Sequence, residues 1–402
     1  MKPETFNLDS MSDPQRARMI IATLFGVLFL ATADIYFLVP LLPTLGREFG
    51  VSVQSLGWLF SSYALAAGLC SLCLGPLSDR FGRVIFLRLG LIFFGFIAIC
   101  TYLSQGYSQL FWFRTMTGLA AGLLSTCTAS FVGDFFPYER RGRVMGVVLS
   151  SYFAALILGV PLAAWVAQVW NWRGIFLASS LLALLLLVCT LLFFPGDRFS
   201  SSRSAGASWS VYLRLILQRE TAAAVAVSFG VSGATLAFLT FISDYLDQNF
   251  GLRPVQISLL FLTAGVAAAV GSPIAGWMSD RFTKRRVFLV ANTVLVIPLL
   301  ALDRLGWGIP LIGLFFVISL CISFRQTALH TLQTELVQGG ERGTFLALRN
   351  ACSQLGISIS VLVAGNLYSQ VGYRGVTVWA ALLTLFSSTI LYFFIEEPME
   401  KQ

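Results

Sequence analysis

The sequence predicts an all-α membrane protein whose twelve transmembrane helices form two pseudo-symmetric bundles of six, with both termini in the cytoplasm. Three observations lead there: an apolar composition, twelve apolar segments of membrane-spanning length, and an internal repeat. Of the 402 residues, 57% are hydrophobic and only 11% are charged. Soluble proteins carry about 25% charged residues, so lipid must be the solvent for most of this chain.

Twelve apolar segments are long enough to cross a bilayer, which takes about 20 residues. Lipid offers no partners to backbone groups, and the alternating pattern of barrel strands is absent, so these segments must be helices. The predicted spans, numbered 1 to 12, are 19–40, 55–76, 84–103, 108–133, 143–168, 174–194, 221–243, 256–278, 286–302, 308–332, 344–368 and 374–395.

The basic side chains set the predicted orientation. With the N-terminus inside, 18 of the 27 Lys and Arg fall on cytoplasmic segments, which is the asymmetry that the positive-inside rule requires. This asymmetry explains the net charge of +8 without a nucleic-acid partner. None of the three lysines follows a glycine, which excludes a Walker A nucleotide site. Five basic residues fall outside (Arg47, Arg173, Arg253, Arg304, Arg374) and four within spans (Arg88, Arg114, Arg325, Arg349).

The cysteines and the histidine predict no metal or redox site. All seven cysteines lie in apolar runs, including Cys70 and Cys73 with their CxxC spacing. Redox and zinc sites need polar surroundings and partner ligands, so these residues are expected to fill space between helices. A single histidine, His330, has no carboxylate neighbours in sequence. We therefore expect no metal and no cofactor.

The two halves of the chain repeat each other at an offset of 201 residues. Six helices return a chain to its starting side, so the repeats are parallel and enclose a cavity that suits alternating access. This predicts an N-terminal bundle at 1–194, a flexible cytoplasmic linker at 195–219 and a C-terminal bundle at 220–402. The matches are Phe49-Gly50 with Phe250-Gly251, 78–81 (SDRF) with 279–282 (SDRF), Asp134 with Glu335, Arg141-Gly142 with Arg342-Gly343, and Arg173-Gly174 with Arg374-Gly375.

Five short segments carry a family resemblance. The connection between spans 2 and 3 is GPLSDRFGR (75–83), and its copy between spans 8 and 9 is GWMSDRFTK (276–284). Spans 1, 4 and 6 contain ADIYFLVPLLP (33–43), LFWFRTMTG (110–118) and WRGIF (172–176). Together they resemble the major facilitator superfamily over nearly the whole chain, and within it the twelve-helix drug:proton antiporter branch. The resemblance implies a monomeric, multi-pass transporter of the bacterial inner membrane, with a small-molecule substrate and protons as partners.

Span 5 carries LGVPLAA, in which Gly159 and Pro161 are expected to bend the helix while small residues allow close packing. The segment is similar to the antiporter signature but departs from it. A valine separates the glycine from the proline, and two alanines replace the usual glycine pair. This form is closer to the variant of efflux members for sugars and nucleobases.

The repeated loop motif predicts a pair of ionic contacts. Asp79 can lie near a helix N-terminus, where a carboxylate is favoured, and Arg83 can reach Asp134 at the end of span 4. The contacts are either latches that close the cytoplasmic side, as the resemblance implies, or static surface ion pairs of small energy. The residues of the two predicted latches are Gly75, Asp79, Arg80, Arg83 and Asp134 in the first half, and Asp280, Arg281, Lys284 and Glu335 in the second.

Asp34 and Arg114 are charges inside predicted spans, where charges are costly and usually functional. Asp34 lies 14 residues into span 1 and Arg114 lies 6 residues into span 4, so both are about 21 Å from the cytoplasmic side of a core about 30 Å thick. Burial favours a neutral carboxyl and a nearby cation favours a charged one, so proton and substrate could compete here. Asp34 is predicted either to exchange a proton, tuned by Arg114, or to form a permanent structural pair with it.

Further candidates have two interpretations or a weaker signal. Arg325 in span 10, His330 one and a half turns later, and Arg349 with Asn350 at the same side of span 11 either form an anion-binding surface for an acidic substrate, or Arg325 snorkels or bonds backbone carbonyls while His330 lies in the interfacial layer. Tyr36, next to Asp34, is a candidate cavity residue. Asp244 is expected to be a solvated loop acid after span 7.

The predicted function is secondary active transport, with proton-coupled export of a small organic or amphiphilic molecule as the leading hypothesis. One alternative is an exporter or flippase of an anionic substrate, such as a siderophore-like acid or a lipid, held by Arg114 and Arg325. Another is a proton-coupled uptake symporter, since the direction of transport depends on gradients and on which states bind substrate. A membrane-embedded enzyme would need a cluster of acids, His or Cys, which the sequence does not offer.

Overall fold

The computed structural model describes residues 14–195, 209–337 and 342–395. Helices account for nearly all of these residues, no strand occurs within these ranges, and twelve helical spans are long and apolar enough to cross a membrane. The predicted all-α fold and its twelve spans are confirmed. Below, the terminal side of the bundle is the side with Pro14 and Phe394, and the distal side is the one with Phe49 and Phe250.

The first half contains the first six spans, and two of them are broken into several helices. Span 1 comprises α1 and α2 with a 3-10 turn between them, and span 5 comprises α6, α7 and α8 with a π-helical turn before α8. The helices are α1 Pro14–Phe37, α2 Leu42–Phe49, α3 Val53–Phe81, α4 Arg83–Tyr102, α5 Tyr107–Phe135, α6 Tyr138–Leu149, α7 Ser151–Ala154, α8 Val160–Val169 and α9 Gly174–Phe193.

The second half consists of a short helix, α10, followed by six long ones that form spans 7 to 12. The helices are α10 Trp209–Leu217, α11 Arg219–Phe250, α12 Pro254–Arg281, α13 Lys284–Ala301, α14 Ile309–Glu335, α15 Arg342–Val371 and α16 Tyr373–Phe394. Within the predicted linker, α10 buries Tyr212 and Leu215 against the second half, so the part of that linker which the structure describes is helical.

The repeat in sequence is also a repeat in structure. Gly50 ends α2 with φ of 62°, and Gly251, 201 residues later, ends α11 with φ of 63°. Both lie in the left-handed region, which glycine adopts without the steric cost that a Cβ would bring. The same residue type therefore ends the first span of each half in the same conformation.

Small residues bring helices close together inside each half. A Cβ at Gly118 or Gly122 of α5 would overlap the backbone of Tyr63 or Ala67 in α3. In the second half, a Cβ at Gly356 of α15 would overlap the carbonyl of Phe229 in α11. Without a hydrophobic driving force between helices in lipid, such backbone contact is a main source of their association.

The two halves join on the distal side and separate toward the terminal side. One buried apolar cluster draws residues from both halves near the distal side, among them Leu42 and Phe60 from the first and Phe241 and Leu246 from the second. Two further clusters lie nearer the terminal side, and the buried residues of each come from one half alone. This distribution of apolar contacts predicts a cavity between the halves that opens toward the terminal side.

Span 5 is irregular at the position where the sequence predicts a bend. Residues Ala155–Gly159 form a π-helical turn directly before α8. Pro161 has no N–H to donate to the carbonyl of Ile157, and a π turn is one way to accommodate such a break. A Cβ at Gly159 would lie 3.2 Å from the Cβ of Ala33, so this glycine allows span 5 to approach α1 beside Asp34.

Candidate functional site

A fully buried ion pair joins α1 and α5 in the first half. Nη1 of Arg114 lies 2.6 Å from Oδ2 of Asp34, and Nη2 of Arg114 donates to the backbone carbonyl of Asp34 at 3.4 Å. Both side chains are 1% exposed. The structure thus brings together the two charges that the sequence placed at one depth.

The surroundings of this pair hold the guanidinium in place. Its carbon lies 4.6 Å from the ring centre of Tyr63, a cation–π distance. The hydroxyl of Tyr63 donates to the carbonyl of Ala31 at 3.2 Å, which ties α3 to α1. Gly118, one turn after Arg114, lets α3 come close enough for this contact. The pair is thereby desolvated and held by aromatic and backbone groups.

Polar side chains continue from the ion pair along the wall of the first half. Thr32, two residues before Asp34, is a hydrogen-bond partner of the Tyr152 hydroxyl in α7. Tyr36 is half-buried and lies within electrostatic range of Tyr152. Tyr152 is 41% exposed, as expected if it lines a cavity between the halves.

Arg325 does not join Asp34 and Arg114. Its side chain is 1% exposed and lies in the core of the second half. Its guanidinium donates to Thr235 Oγ1 at 2.7 Å and to Thr384 Oγ1 at 3.2 Å. It also donates to the carbonyl of Val231 at 3.2 Å and to Asn292 Oδ1 at 3.3 Å. One of these neutral acceptors is a backbone carbonyl, as one alternative predicted, and three are side chains within the second half, so Arg325 is enclosed by protein.

His330 and Arg349 meet in the second half, on the side of the cavity. The exposed His330 accepts a hydrogen bond at Nδ1 from Nη1 of Arg349, and Arg349 also donates to Oε1 of Gln333 at 3.4 Å. Gln333 is itself 1% exposed and donates to Ser228 Oγ at 2.6 Å. The sequence placed His330 and Arg349 at the same end of their spans, but their direct contact was not predicted.

A chain of hydroxyl and amide groups crosses between the halves. Asn350 of α15 donates to Ser71 of α3 at 3.3 Å, and Thr126 of α5 donates to the same Ser71 oxygen at 3.2 Å. Nearer the distal side, Ser61 and Ser358 share a hydrogen bond of 2.8 Å. Sequence analysis missed these contacts, because single serines in apolar spans give no signal of their direction.

The loop motifs form the two ion pairs at equivalent positions. Nε of Arg83 lies 2.8 Å from Asp134, and Nζ of Lys284 lies 3.0 Å from Glu335. Each pair lies within one half, so neither bridges the halves while the terminal side is open. The latch role stays a prediction. Asp280 and Arg281 are exposed on the terminal side, and the side-chain positions of Gly75, Asp79 and Arg80 lie outside what the structure describes.

The distal side is closed by polar as well as apolar contacts. Arg47 of α2 and Asp247 of α11 form an ion pair of 2.6 Å between the halves. The expectation for Asp244 was wrong: α11 continues to Phe250, and Asp244 is only 4% exposed. Its carboxylate accepts from the hydroxyl of Tyr368 at 2.6 Å and from Gln248 at 2.7 Å. The apolar run ends before this residue although the helix does not, which explains the error.

The family assignment follows from comparison with known proteins. The model of the Major Facilitator Superfamily matches residues 24–246 and 225–402. The chain belongs to this superfamily. Members of this superfamily are transporters, not enzymes, and the twelve spans with bacterial relatives identify a multi-pass protein of the plasma membrane.

Two bacterial proteins are similar to this chain over most of its length. The uncharacterized MFS-type transporter YceJ of Bacillus subtilis is 26% identical over 388 residues, which is 94% of this chain and 96% of YceJ. The quinolone resistance protein NorA of Staphylococcus aureus is 23% identical over 363 residues, or 87% of this chain and 89% of NorA.

Two solved structures share the fold. A bacterial homolog of the human lysosomal transporter Spinster, in an inward-facing and unoccupied conformation, superposes with a TM-score of 0.78 at 14% identity and covers 96% of this chain and 99% of that one. A D-xylose–proton symporter superposes with a TM-score of 0.76 at 16% identity, covering 95% and 98%. At these identities the likeness concerns the fold alone.

Proposed function

We propose that this protein is a proton-coupled exporter of a small organic molecule, in which Asp34 exchanges a proton and Arg114 tunes that exchange. The buried pair of Asp34 and Arg114 carries the proposal. Both charges are out of water, and their contact is a single short bond between side chains plus one longer bond to backbone. A charge in a membrane span is expensive and is retained mostly where function needs it.

The chemistry of the pair supports proton exchange. Protonation of Asp34 would remove the charge that holds Arg114, and only the longer bond to the Asp34 carbonyl would remain. Arg114 would then be free to shift toward the cavity wall at Thr32 and Tyr36. A carboxyl can alternate in this way, whereas a guanidinium in a protein stays charged.

Alternating access is supported by the asymmetry between the two sides. If the terminal side is cytoplasmic, as the 18 cytoplasmic Lys and Arg predict, the present arrangement is an inward-open state. The distal apolar cluster and the ion pair of Arg47 with Asp247 would have to separate in the outward-open state. The two loop ion pairs would serve as latches that stabilise the closed terminal side in that state.

The alternatives differ in how well the contacts support them. Export is favoured over uptake by the relation to a quinolone resistance protein, which is the more similar in sequence, whereas the D-xylose–proton symporter shares only the fold. An anionic substrate held by Arg114 and Arg325 is disfavoured, because Arg114 is already paired with Asp34 and Arg325 is enclosed by four neutral acceptors.

The test is proton release when candidate substrates are added to detergent-purified protein in weak buffer. The native protein should release protons on binding, and Asp34→Asn should bind without release. Glu220→Gln, which neutralises an exposed carboxylate at the start of α11, serves as the matched control. If Asp34→Asn does not fold, Asp34→Asn/Arg114→Gln removes both charges together and answers the same question. Binding without proton release in the native protein would refute the proposal.

A further inference from the structure

A polar cluster with one cation draws on both halves of the protein. His330 of α14 and Arg349 of α15 belong to the second half, and Tyr152 of α7 belongs to the first. Tyr152 and Arg349 lie within electrostatic range of each other. Tyr152 and His330 are exposed and Arg349 is half-buried. A molecule in the cavity can therefore reach these side chains.

The guanidinium of Arg349 uses Nη1 for its contacts within the protein and leaves Nη2 without a described partner. Nη1 donates to His330 and to Gln333. In the part of the chain that the structure describes, neither Nε nor Nη2 donates a hydrogen bond, and Nε is buried without an acceptor. Nη2 is therefore the donor of Arg349 that a carboxylate can reach, in a charge-assisted hydrogen bond.

The partners of Arg349 fix its position without neutralising its charge. His330 accepts the bond at Nδ1, so its proton is on Nε2 and the ring is neutral. Gln333 donates its amide hydrogens to the carbonyl of Ala224 at 2.8 Å and to Ser228, which turns its carbonyl oxygen toward Arg349. A positive charge that faces a cavity and is held by neutral groups attracts an anion.

Other arginines differ from Arg349 either because they are paired with a carboxylate or because they are buried. Arg114 is paired with Asp34, and Arg83 is paired with Asp134. Arg325 also lacks a carboxylate, but it is 1% exposed and out of reach of the cavity. Arg349 combines an accessible position with an uncompensated charge among its described contacts.

We propose that Arg349, positioned by His330 and Gln333, binds a carboxylate of the transported molecule, with the ring of Tyr152 facing the body of that molecule from the opposite half. The substrate class is thus an organic acid with an apolar or aromatic body. This inference rests on the proposed function in one respect, because it takes the molecule bound in the cavity to be the transported substrate. It moves the anion site from the pair Arg114 and Arg325 to Arg349.

The test compares acids with their uncharged amides. Benzoate and benzamide, and 2-naphthoate and 2-naphthamide, are titrated into detergent-purified full-length protein, and binding is followed by the shift in melting temperature and by calorimetry. We expect each acid to bind about tenfold or more tightly than its amide, the size of one charge-assisted contact. Equal affinities for acid and amide, or no binding of either acid, would overturn the proposal.

Variants assign the preference to Arg349. Arg349→Gln should abolish the preference for the acids, and Arg349→Lys should retain part of it, because lysine keeps the charge but loses the planar guanidinium donors. Arg286→Gln, an exposed arginine at the start of α13, is the control and should behave as native. A preference that survives Arg349→Gln would overturn the assignment. If Arg349→Gln does not fold, Arg349→Lys provides the comparison.

The outcome separates this inference from the proposed function. If the acids bind through Arg349 but no proton is released, the carboxylate subsite stands and proton exchange at Asp34 is refuted. If uncharged or cationic molecules trigger proton release through Asp34 while the acids do not bind, the subsite is refuted and the proton-coupled exporter stands.

Discussion

The guanidinium of Arg47 and the carboxylate of Asp247 lie 2.6 Å apart and connect the two halves on the distal side. Deeper in the same interface, Ser61 of α3 and Ser358 of α15 share a hydrogen bond of 2.8 Å. Phe241 fits against Gly57 in the first half, where a Cβ would lie 3.1 Å from its ring. These contacts have to break if the distal side opens.

The first prediction concerns the ion pair of Arg47 and Asp247. Arg47→Gln should shift the equilibrium toward a distal-open state, but only about fivefold at most, because exposed ion pairs contribute about 0–1 kcal/mol. The charge-swapped variant Arg47→Asp/Asp247→Arg should restore the native equilibrium. The equilibrium is measured from distances between spin labels on the distal ends of α2 and α12. The labels are placed in a variant that lacks the seven native cysteines. A swapped variant no better than the single one would contradict a direct pairing.

The second prediction concerns the stability of the buried pair. Asp34→Asn leaves an uncompensated guanidinium in the core, and loss of one partner of a buried pair costs about 3–5 kcal/mol. Arg114→Gln should cost less, because Asp34 can take up a proton and become neutral. Asp34→Asn/Arg114→Gln should be more stable than Asp34→Asn alone. Melting temperatures in detergent test this order, and equal losses in both single variants would refute it.

The third prediction concerns the two loop ion pairs. Asp134→Asn and Glu335→Gln should each lower the transport rate while the melting temperature stays near the native value, because Asp134 is 64% exposed and Glu335 is 39% exposed. Rates are measured in proteoliposomes with the same amount of folded protein. If the rates are unchanged, the pairs are static surface contacts; if the protein no longer inserts or folds, they serve assembly.

The fourth prediction uses two glycines of one helix. Gly118→Ala should destabilise the protein by about 1–3 kcal/mol, because a methyl group there overlaps the backbone of Tyr63 and forces α3 away from α5. Gly133→Ala, in the same helix with no atom within 4 Å of the new Cβ, should be neutral or stabilise by about 0.5–1 kcal/mol. Thermal unfolding of the two variants checks the contrast. Equal effects would mean that the close approach of α3 does not matter for stability.

The sequence predicted the features that depend on local composition and on the repeat. Apolar length determined the twelve spans, because lipid leaves no alternative partner for backbone groups. The offset of 201 residues correctly aligned the ion pair of Arg83 and Asp134 with that of Lys284 and Glu335. Counting residues along two spans was enough to place Asp34 and Arg114 at one depth, because helical rise is constant.

The sequence did not predict which way a side chain points or which side chain from another helix it contacts. Arg325 could face the cavity or the core, and its four acceptors come from α11, α13 and α16, which are distant in sequence. Asp244 was taken for a loop acid, because hydropathy marks the edge of the apolar run and not the end of α11. The contact between His330 and Arg349 depends on how α14 and α15 are rotated against each other.

By itself, then, the sequence determined the membrane environment, the number of transmembrane spans, the duplication and the depth of the buried charges. Each of these follows from hydropathy, from residue identity at a fixed offset, or from rise per residue. Only the tertiary structure decided that Arg114 pairs with a carboxylate while the described acceptors of Arg349 are the neutral side chains of His330 and Gln333. The physical reason is that the pairing of a charge depends on which helices meet and at what rotation, and that is set by contacts between spans far apart in the chain.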